Sequence, residues 1–148
     1  MEHSMTHEDA GHYGAKHPAG TAYDANIAET LAGRARNGKI TCKAAHQTAE
    51  DFGVAPSEVG RTADLLELRI NECQLGLFGY GPVRPAFQPA ESISDELRDL
   101  LERHTTGGRI SCASCWMIAD RLGMEKQDIS SACELLGTKV KQCQLGTF

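Results

Sequence analysis

Residues 39–46 read KITCKAAH and residues 72–78 read ECQLGLF, and the segment that these two stretches bound occurs twice in the chain. The second copy begins with RISCASCW at residues 109–116 and ends with QCQLGTF at residues 142–148. The copies align without a gap, and each keeps the four residues Cys-Gln-Leu-Gly near its end. A repeat of this length in a chain of 148 residues favours two similar lobes.

Each copy follows a predicted helix of its own. Asp24 carries the side-chain oxygens that suit a helix N-cap, and the helix after it stops at the Asn-Gly pair of residues 37–38. Seventy residues later, Ser94 caps a helix that stops at the Gly-Gly pair of residues 107–108. The duplication therefore includes a leading helix, and we expect each lobe to begin with it.

Two further helices are predicted inside each copy. In the first copy Thr41 caps a helix that Gly53 ends, and Ser111 is the predicted cap at the same place in the second copy. The next helix of the first copy begins near Pro56, where proline suits the first turn. Small and apolar residues recur at helical spacing on both helices: Cys42, Ala45, Ala49, Phe52, Val59, Ala63 and Leu66. The short extended pieces before and after this helix pair are predicted to form a β-hairpin.

The expected fold is mainly α with short β-strands, and the chain divides into four consecutive parts. An extended polar arm spans residues 1–23 and a first lobe spans residues 24–78. A linker with three of the five prolines spans residues 79–93, and a second lobe spans residues 94–148. A lobe of this size buries little apolar area and is marginal alone. We therefore expect the two lobes to form a pseudo-dimer.

Three positions in each copy resemble a helix-turn-helix. Ala49 lets two helices cross closely, Gly53 supplies a left-handed turn, and Val59 holds the second helix on the first. The same offsets recur in the second copy at Ala119, Gly123 and Ile129. The order helix, strand, helix, turn, helix, strand then resembles the winged-helix branch of the helix-turn-helix superfamily, with the second wing strand missing or vestigial. This resemblance implies two tandem winged-helix-like lobes.

The resemblance also implies that the third helix of each lobe reads DNA, but its charge argues against that role. Residues 55–67 and residues 125–137 each hold three acidic residues and one basic residue, and the whole chain has a formal charge of −5. Phosphate contacts supply most of the affinity for duplex DNA, so acidic reading helices disfavour it. We therefore expect a protein-interaction or accessory subunit that binds another protein subunit or a second copy of itself. A DNA-binding transcription regulator, with redox or metal input through its cysteines, is the alternative.

The interaction surface is expected on the exposed side chains of these third helices. An acidic module of this shape can use them to dock on a basic partner. The predicted interaction residues are Glu58, Arg61, Asp64, Lys126, Gln127, Ser130 and Ser131.

Four cysteines of the second copy have a count that suits zinc or an iron–sulfur cluster: Cys112, Cys115, Cys133 and Cys143. The repeat favours another interpretation. Cys115 aligns with Ala45 and Cys133 aligns with Ala63, and both of these positions lie on predicted core stripes, where cysteine behaves as a small hydrophobe. We therefore predict reduced core thiols and no cofactor, with a metal or cluster as the alternative.

The polar arm contains four histidines. His3 and His7 are four residues apart and would face the same way on a helix, with His12 or His17 as a third donor to a transition metal. The favoured interpretation is a polar tail without a metal, because nothing in the sequence fixes the second shell that a good site needs. Since such a segment cannot build a core of its own, we expect the arm to become ordered on other protein surface.

The sequence contains no convergent acid, base and nucleophile, so we expect no enzymatic activity. His46, for example, is replaced by Trp116 in the second copy. The first residues lack the apolar core of a secretory signal, and no run approaches the roughly 18 apolar residues that a spanning helix needs. We expect a cytoplasmic protein without a membrane partner, whose six cysteines are reduced.

Overall fold

The computed structural model describes residues 13–18, 20–80 and 87–147, and these fall into two units. The first unit takes in the chain up to Cys73 and the residues from Gln144 onward. The second unit runs from Gln74 to Cys143. The chain therefore changes unit inside each Cys-Gln-Leu-Gly motif, between the cysteine and the glutamine.

The first unit contains a short 3₁₀ helix, three α-helices and two strands among its described residues. The 3₁₀ helix is Tyr13–Lys16. The other elements are α1 (Ala25–Arg34), β1 (Lys39–Thr41), α2 (Cys42–Phe52), α3 (Pro56–Leu65) and β2 (Arg69–Asn71).

The second unit repeats the same order of helices and strands. Its elements are α4 (Asp95–His104), β3 (Arg109–Ser111), α5 (Cys112–Leu122), α6 (Lys126–Leu136) and β4 (Lys139–Lys141). The prediction of a mainly α fold with short β-strands is confirmed for the described residues. The arm is not extended throughout, because Tyr13–Lys16 is helical.

The helix starts follow from local capping. The Asp24 carboxylate accepts hydrogen bonds from the first backbone N–H groups of α1, and the Ser94 hydroxyl accepts one at the start of α4. Thr41 and Ser111 cap α2 and α5 in the same way. These four predicted caps are confirmed, since each satisfies a backbone N–H that would otherwise have no partner inside its helix.

Gly53 and Gly123 end α2 and α5 in the left-handed conformation, with φ of 63° and 64°. A Cβ atom at either position would meet nothing within 4 Å, so the backbone angle is what requires glycine there. The residues that allow each helix pair to pack closely are instead Ala49 and Ala119, which are buried. Phe52, expected on the apolar stripe, is exposed because it lies at the last turn of α2.

The paired strands differ from the predicted hairpins. β1 pairs with β2 in parallel, with Ile40 opposite Ile70, and β3 pairs with β4 in parallel, with Ile110 opposite Val140. The predicted pairing partners are confirmed, but the β-hairpin is wrong. Two helices separate the strands of each pair and return the chain to the starting edge, which is the connection that a parallel pair needs.

Each unit is completed by a leucine from the neighbouring copy of the repeat. Leu145 is 2% exposed and belongs to the first unit, whereas Leu75 is 0% exposed and belongs to the second. The units thus divide the chain at different residues from the lobes expected at 24–78 and 94–148. The Cys-Gln-Leu-Gly motif must place a leucine in the same position of each unit, which accounts for the identity of its four residues in both copies.

Candidate functional site

Helix α3 carries three of the predicted interaction residues, and little of it faces solvent. Among its residues only Ser57 is exposed. Glu58 and Arg61 form an ion pair of 3.5 Å, and their side chains are 40% and 39% exposed. Asp64, the third predicted residue, is buried, with a side chain only 10% exposed. The N-terminal arm and the C-terminal segment both lie against α3, which also packs on α1 and α2.

Asp64 is held by two residues of the arm. Its Oδ2 atom lies 2.9 Å from the Nζ atom of Lys16 and 2.9 Å from the Nε2 atom of His17. Burial raises the pKa of the Asp64 carboxyl, while the hydrogen bonds from His17 and Lys16 act in the opposite direction. The carboxylate therefore depends on these two donors to remain ionised inside the first unit.

Glu67, two residues beyond α3, receives the backbone of the arm. The N–H groups of Tyr13 and Gly14 donate to its two carboxylate oxygens at 2.7 and 2.8 Å. Glu67 has a φ of 57°, in the left-handed region, and the aligned residue of the second copy is Gly137 with a φ of 70°. A glutamate thus stands where glycine would be free of strain, and its carboxylate gives that position a contact that glycine cannot make.

The C-terminal segment lies against the middle of α3. A Cβ atom at Gly60 would overlap the carbonyl oxygen of Leu145 and lie 2.6 Å from its carbonyl carbon, so only glycine admits this backbone. Lys16 Nζ also donates to the carbonyl oxygen of Gly146 at 2.7 Å. The Lys16 ammonium thereby joins the arm, α3 and the C-terminal segment.

The second unit holds its leucine through a different residue. Ser130 of α6, which aligns with Gly60, donates from Oγ to the carbonyl oxygen of Leu75 at 2.6 Å. Next to it, the carbonyl oxygen of Ser131 accepts a hydrogen bond of 3.0 Å from the N–H of Ala90, in the predicted linker. Two of the predicted interaction residues are therefore engaged by the chain itself.

The remaining face of α6 is more open than that of α3. Its exposed residues are Asp128, Glu134 and Leu135, and Leu135 is 40% exposed. Lys126 and Gln127 are half-buried, and the Lys126 ammonium lies 4.6 Å from the centre of the Trp116 ring. The seven predicted interaction residues do not form one exposed surface, since Asp64 and Ser130 are buried.

Five of the six cysteines are buried, and Cys143 is half-buried. Cys115 and Cys133 share a thiol hydrogen bond between α5 and α6, which together with burial raises the pKa of Cys115. Among the residues that the structure describes, no group of three His, Cys, Asp or Glu side chains is placed to hold a metal ion. Cys112 is also buried in the second unit.

The histidines of the arm divide between described and undescribed parts of the chain. His3, His7 and His12 lie outside the described residues. His17 is described and contacts Asp64. The metal prediction for the arm therefore stays a prediction.

Sequence reasoning missed the residues that bring the arm to α3, above all Lys16, Glu67 and Gly60. The available signal was a difference between the copies. Glu67 against Gly137, and Gly60 against Ser130, are unlike pairs, in each of which one member is a glycine. Such pairs mark positions where the two units make different contacts.

Comparisons with protein-family models, with curated proteins and with solved structures found no match to this chain. Within residues 13–18, 20–80 and 87–147, no helix is long and apolar enough to cross a membrane.

Proposed function

We propose that this chain is a non-catalytic tandem helix-turn-helix protein that acts as a protein-interaction or accessory subunit. Its two winged-helix-like lobes form an internal pseudo-dimer, and its partner is another protein subunit. The observation that carries this proposal is the coverage of α3, where only Ser57 is exposed. A DNA-reading helix needs a row of exposed side chains to reach base edges, whereas α3 has one exposed residue, Ser57, and its partly exposed Glu58 and Arg61 side chains pair with each other.

The exposed face of α6 also favours a protein-interaction role over DNA binding. Its exposed residues are two acidic ones, Asp128 and Glu134, and one apolar one, Leu135. Carboxylates repel duplex phosphates, whereas an exposed leucine on a helix with exposed acidic residues suits a protein surface with apolar and basic residues. The transcription-regulator alternative therefore ranks below the accessory-subunit function.

The test is to identify the partner and rebuild the complex from purified components. We expect affinity purification from the native host at moderate salt to yield one protein that forms a stoichiometric complex with the full chain. Leu135→Ser should weaken that complex, whereas Ala113→Ser, an exposed change on α5, should leave it intact. A selection from random duplexes at physiological salt that returns one tight consensus site would promote the regulator and overturn the proposal.

A further inference from the structure

The arm site on α3 consists of the carboxylates of Asp64 and Glu67 and the carbonyl oxygen of Gly146. Its polar contacts with the arm run from donors of the arm to acceptors of the site. The donors are the N–H groups of Tyr13 and Gly14, the Lys16 ammonium and the His17 imidazole. A site made of acceptors selects a cationic segment and rejects phosphate and other anions.

We propose that the arm site is a docking site for a lysine-containing segment of a partner protein, and that residues 13–17 occupy it as a built-in competitor. The site recognises two successive backbone N–H groups through Glu67 and an ammonium group through Asp64. This inference rests on the proposed function, because it names a second contact of the same partner in addition to the one tested at Leu135 of α6.

The arm is held in a way that allows its replacement. No residue of Tyr13–Lys16 is buried as a whole, and the Lys16 side chain, which is 9% exposed, lies there in an ion pair with Asp64. Segments with few buried apolar contacts open at low free-energy cost compared with core elements. Opening leaves Asp64 without its cation in a site that penalises a bare carboxylate, and a lysine from another protein restores the ion pair.

The backbone at Glu67 points to recognition at this place. Gly137 occupies the same left-handed position in the second unit without strain, whereas Glu67 bears the unfavourable φ of 57°. The second unit therefore lacks the carboxylate that reads backbone N–H groups. The docking site therefore belongs to the first unit alone. Because Gly137 holds the same backbone conformation after α6, the end of the third helix does not itself require a carboxylate at this position.

The experiment measures binding of a synthetic peptide to the full chain by fluorescence anisotropy. The probe is a fluorescein-labelled peptide of residues 11–20, GHYGAKHPAG, and the matched probe carries glutamate at the position of Lys16. The protein variants are Lys16→Glu, which repels its own arm from Asp64, and Lys43→Glu, which makes the same charge change at an exposed residue of α2.

We expect the lysine peptide to bind the Lys16→Glu variant at least tenfold more tightly than it binds the wild type or Lys43→Glu. The tethered arm competes at an effective concentration in the millimolar range, which sets the size of this difference. The glutamate peptide should not bind, and adding Glu67→Gln to Lys16→Glu should abolish binding of the lysine peptide. Equal affinity of the two peptides, or equal affinity of the wild type and Lys16→Glu, would overturn the inference.

Circular dichroism checks that Lys16→Glu is folded, and if it is not, Lys16→Gln takes its place with the same expected order of affinities. A wild-type dimer in sizing experiments that Glu67→Gln dissolves would assign the site to a second copy and overturn the choice of a partner protein. A captured partner whose affinity ignores Lys16→Glu and Glu67→Gln would overturn this inference and leave the proposed function standing. Peptide binding without any cellular partner would overturn the proposed function, and the inferred partner with it.

Discussion

Helices α3 and α6 occupy the same place in two copies of one repeat, yet they present different surfaces. Asp64 is buried under the arm, whereas the aligned Glu134 is exposed. Gly60 admits the backbone of Leu145 without a side chain, whereas Ser130 binds the equivalent leucine by a hydrogen bond. The comparison separates two kinds of position: those that the repeat shares build the fold, and those that differ decide which segment each helix receives.

The largest effect is expected at Gly60. Gly60→Ala places a Cβ on the Leu145 carbonyl, so the C-terminal segment must move and a buried leucine is exposed. Overpacking of this kind costs about 1–3 kcal/mol and burial of a leucine is worth about 1.5–3 kcal/mol, so the free energy of unfolding should fall by about 3 kcal/mol. Urea unfolding of the full chain measures it.

The counterpart in the second unit provides the control for Gly60. Ser130→Ala removes one hydrogen bond to the Leu75 carbonyl and adds no atom, so it should cost only about 1 kcal/mol. Equal losses for Gly60→Ala and Ser130→Ala would mean that the two helices hold their leucines alike, and the comparison would fail.

The shared positions should respond alike in both units. Ala49→Leu and Ala119→Leu each insert three carbons between packed helices, and each should lower the free energy of unfolding by about 1–3 kcal/mol. Ala113→Leu adds the same atoms at an exposed residue of α5 and should change stability by less than about 0.5 kcal/mol. Unchanged melting temperatures for both buried variants would refute the placement of the helix pair.

Glu67→Gly gives the first unit the residue of the second unit at its left-handed position. Relief of backbone strain of about 1 kcal/mol should offset part of the lost arm contacts, so global stability should hardly change. The arm should open, because two hydrogen bonds to a carboxylate are lost, and trypsin should cut after Lys16 about tenfold faster. Mass spectrometry of timed digests measures the rate, and wild-type protection in Glu67→Gly would contradict the arm site.

The equivalent cysteines of the two motifs should differ in reactivity. Cys73 is buried and Cys143 is half-buried, and hydrogen bonding and burial raise the pKa of Cys115. Since the thiolate is the reactive form, brief iodoacetamide treatment of the folded protein should modify Cys143 first. Peptide mapping identifies the site, and the unfolded protein, in which all six thiols react, serves as the reference. Modification of Cys73 at the same rate would contradict the difference between the units.

The smallest effects are expected in the pH dependence of stability. Burial raises the pKa of Asp64, so its contribution to stability is fully present below about pH 3.9 and is lost as pH rises through the raised pKa. Hydrogen bonds from Arg34 and Gln47 lower the pKa of Asp51, so its contribution is present above about pH 3.9 and is lost as pH falls through the lowered pKa.

These two carboxyls therefore predict opposite trends. Compared with Asp64→Asn, the wild type should lose relative stability between pH 3 and pH 7, roughly the range that spans an ordinary and a raised carboxyl pKa. Compared with Asp51→Asn, it should gain relative stability as pH rises out of the acid range. Urea unfolding at several pH values measures both differences, and trends of the same sign would contradict the burial of Asp64.

Much of the local structure was predictable from sequence because its causes lie within a few residues. The caps at Asp24, Thr41, Ser94 and Ser111 each satisfy an N–H two or three positions away. The same holds for the left-handed end of α2 at Gly53. These signals, read in two copies, were enough to predict the helices and their order.

Only the tertiary structure decided which distant segments each helix receives. The Lys16–Gly146 hydrogen bond joins residues 130 positions apart, and the arm meets Glu67 across more than 50. The periodicity of apolar residues in the sequence does not predict such contacts, because they depend on the surface that the packed helices present. The parallel direction of the strands also depended on tertiary packing. The same is true of the placement of Leu75 in the second unit and Leu145 in the first. By itself the sequence determined a duplicated, mainly helical chain, whereas packing determined that its two third helices carry different surfaces.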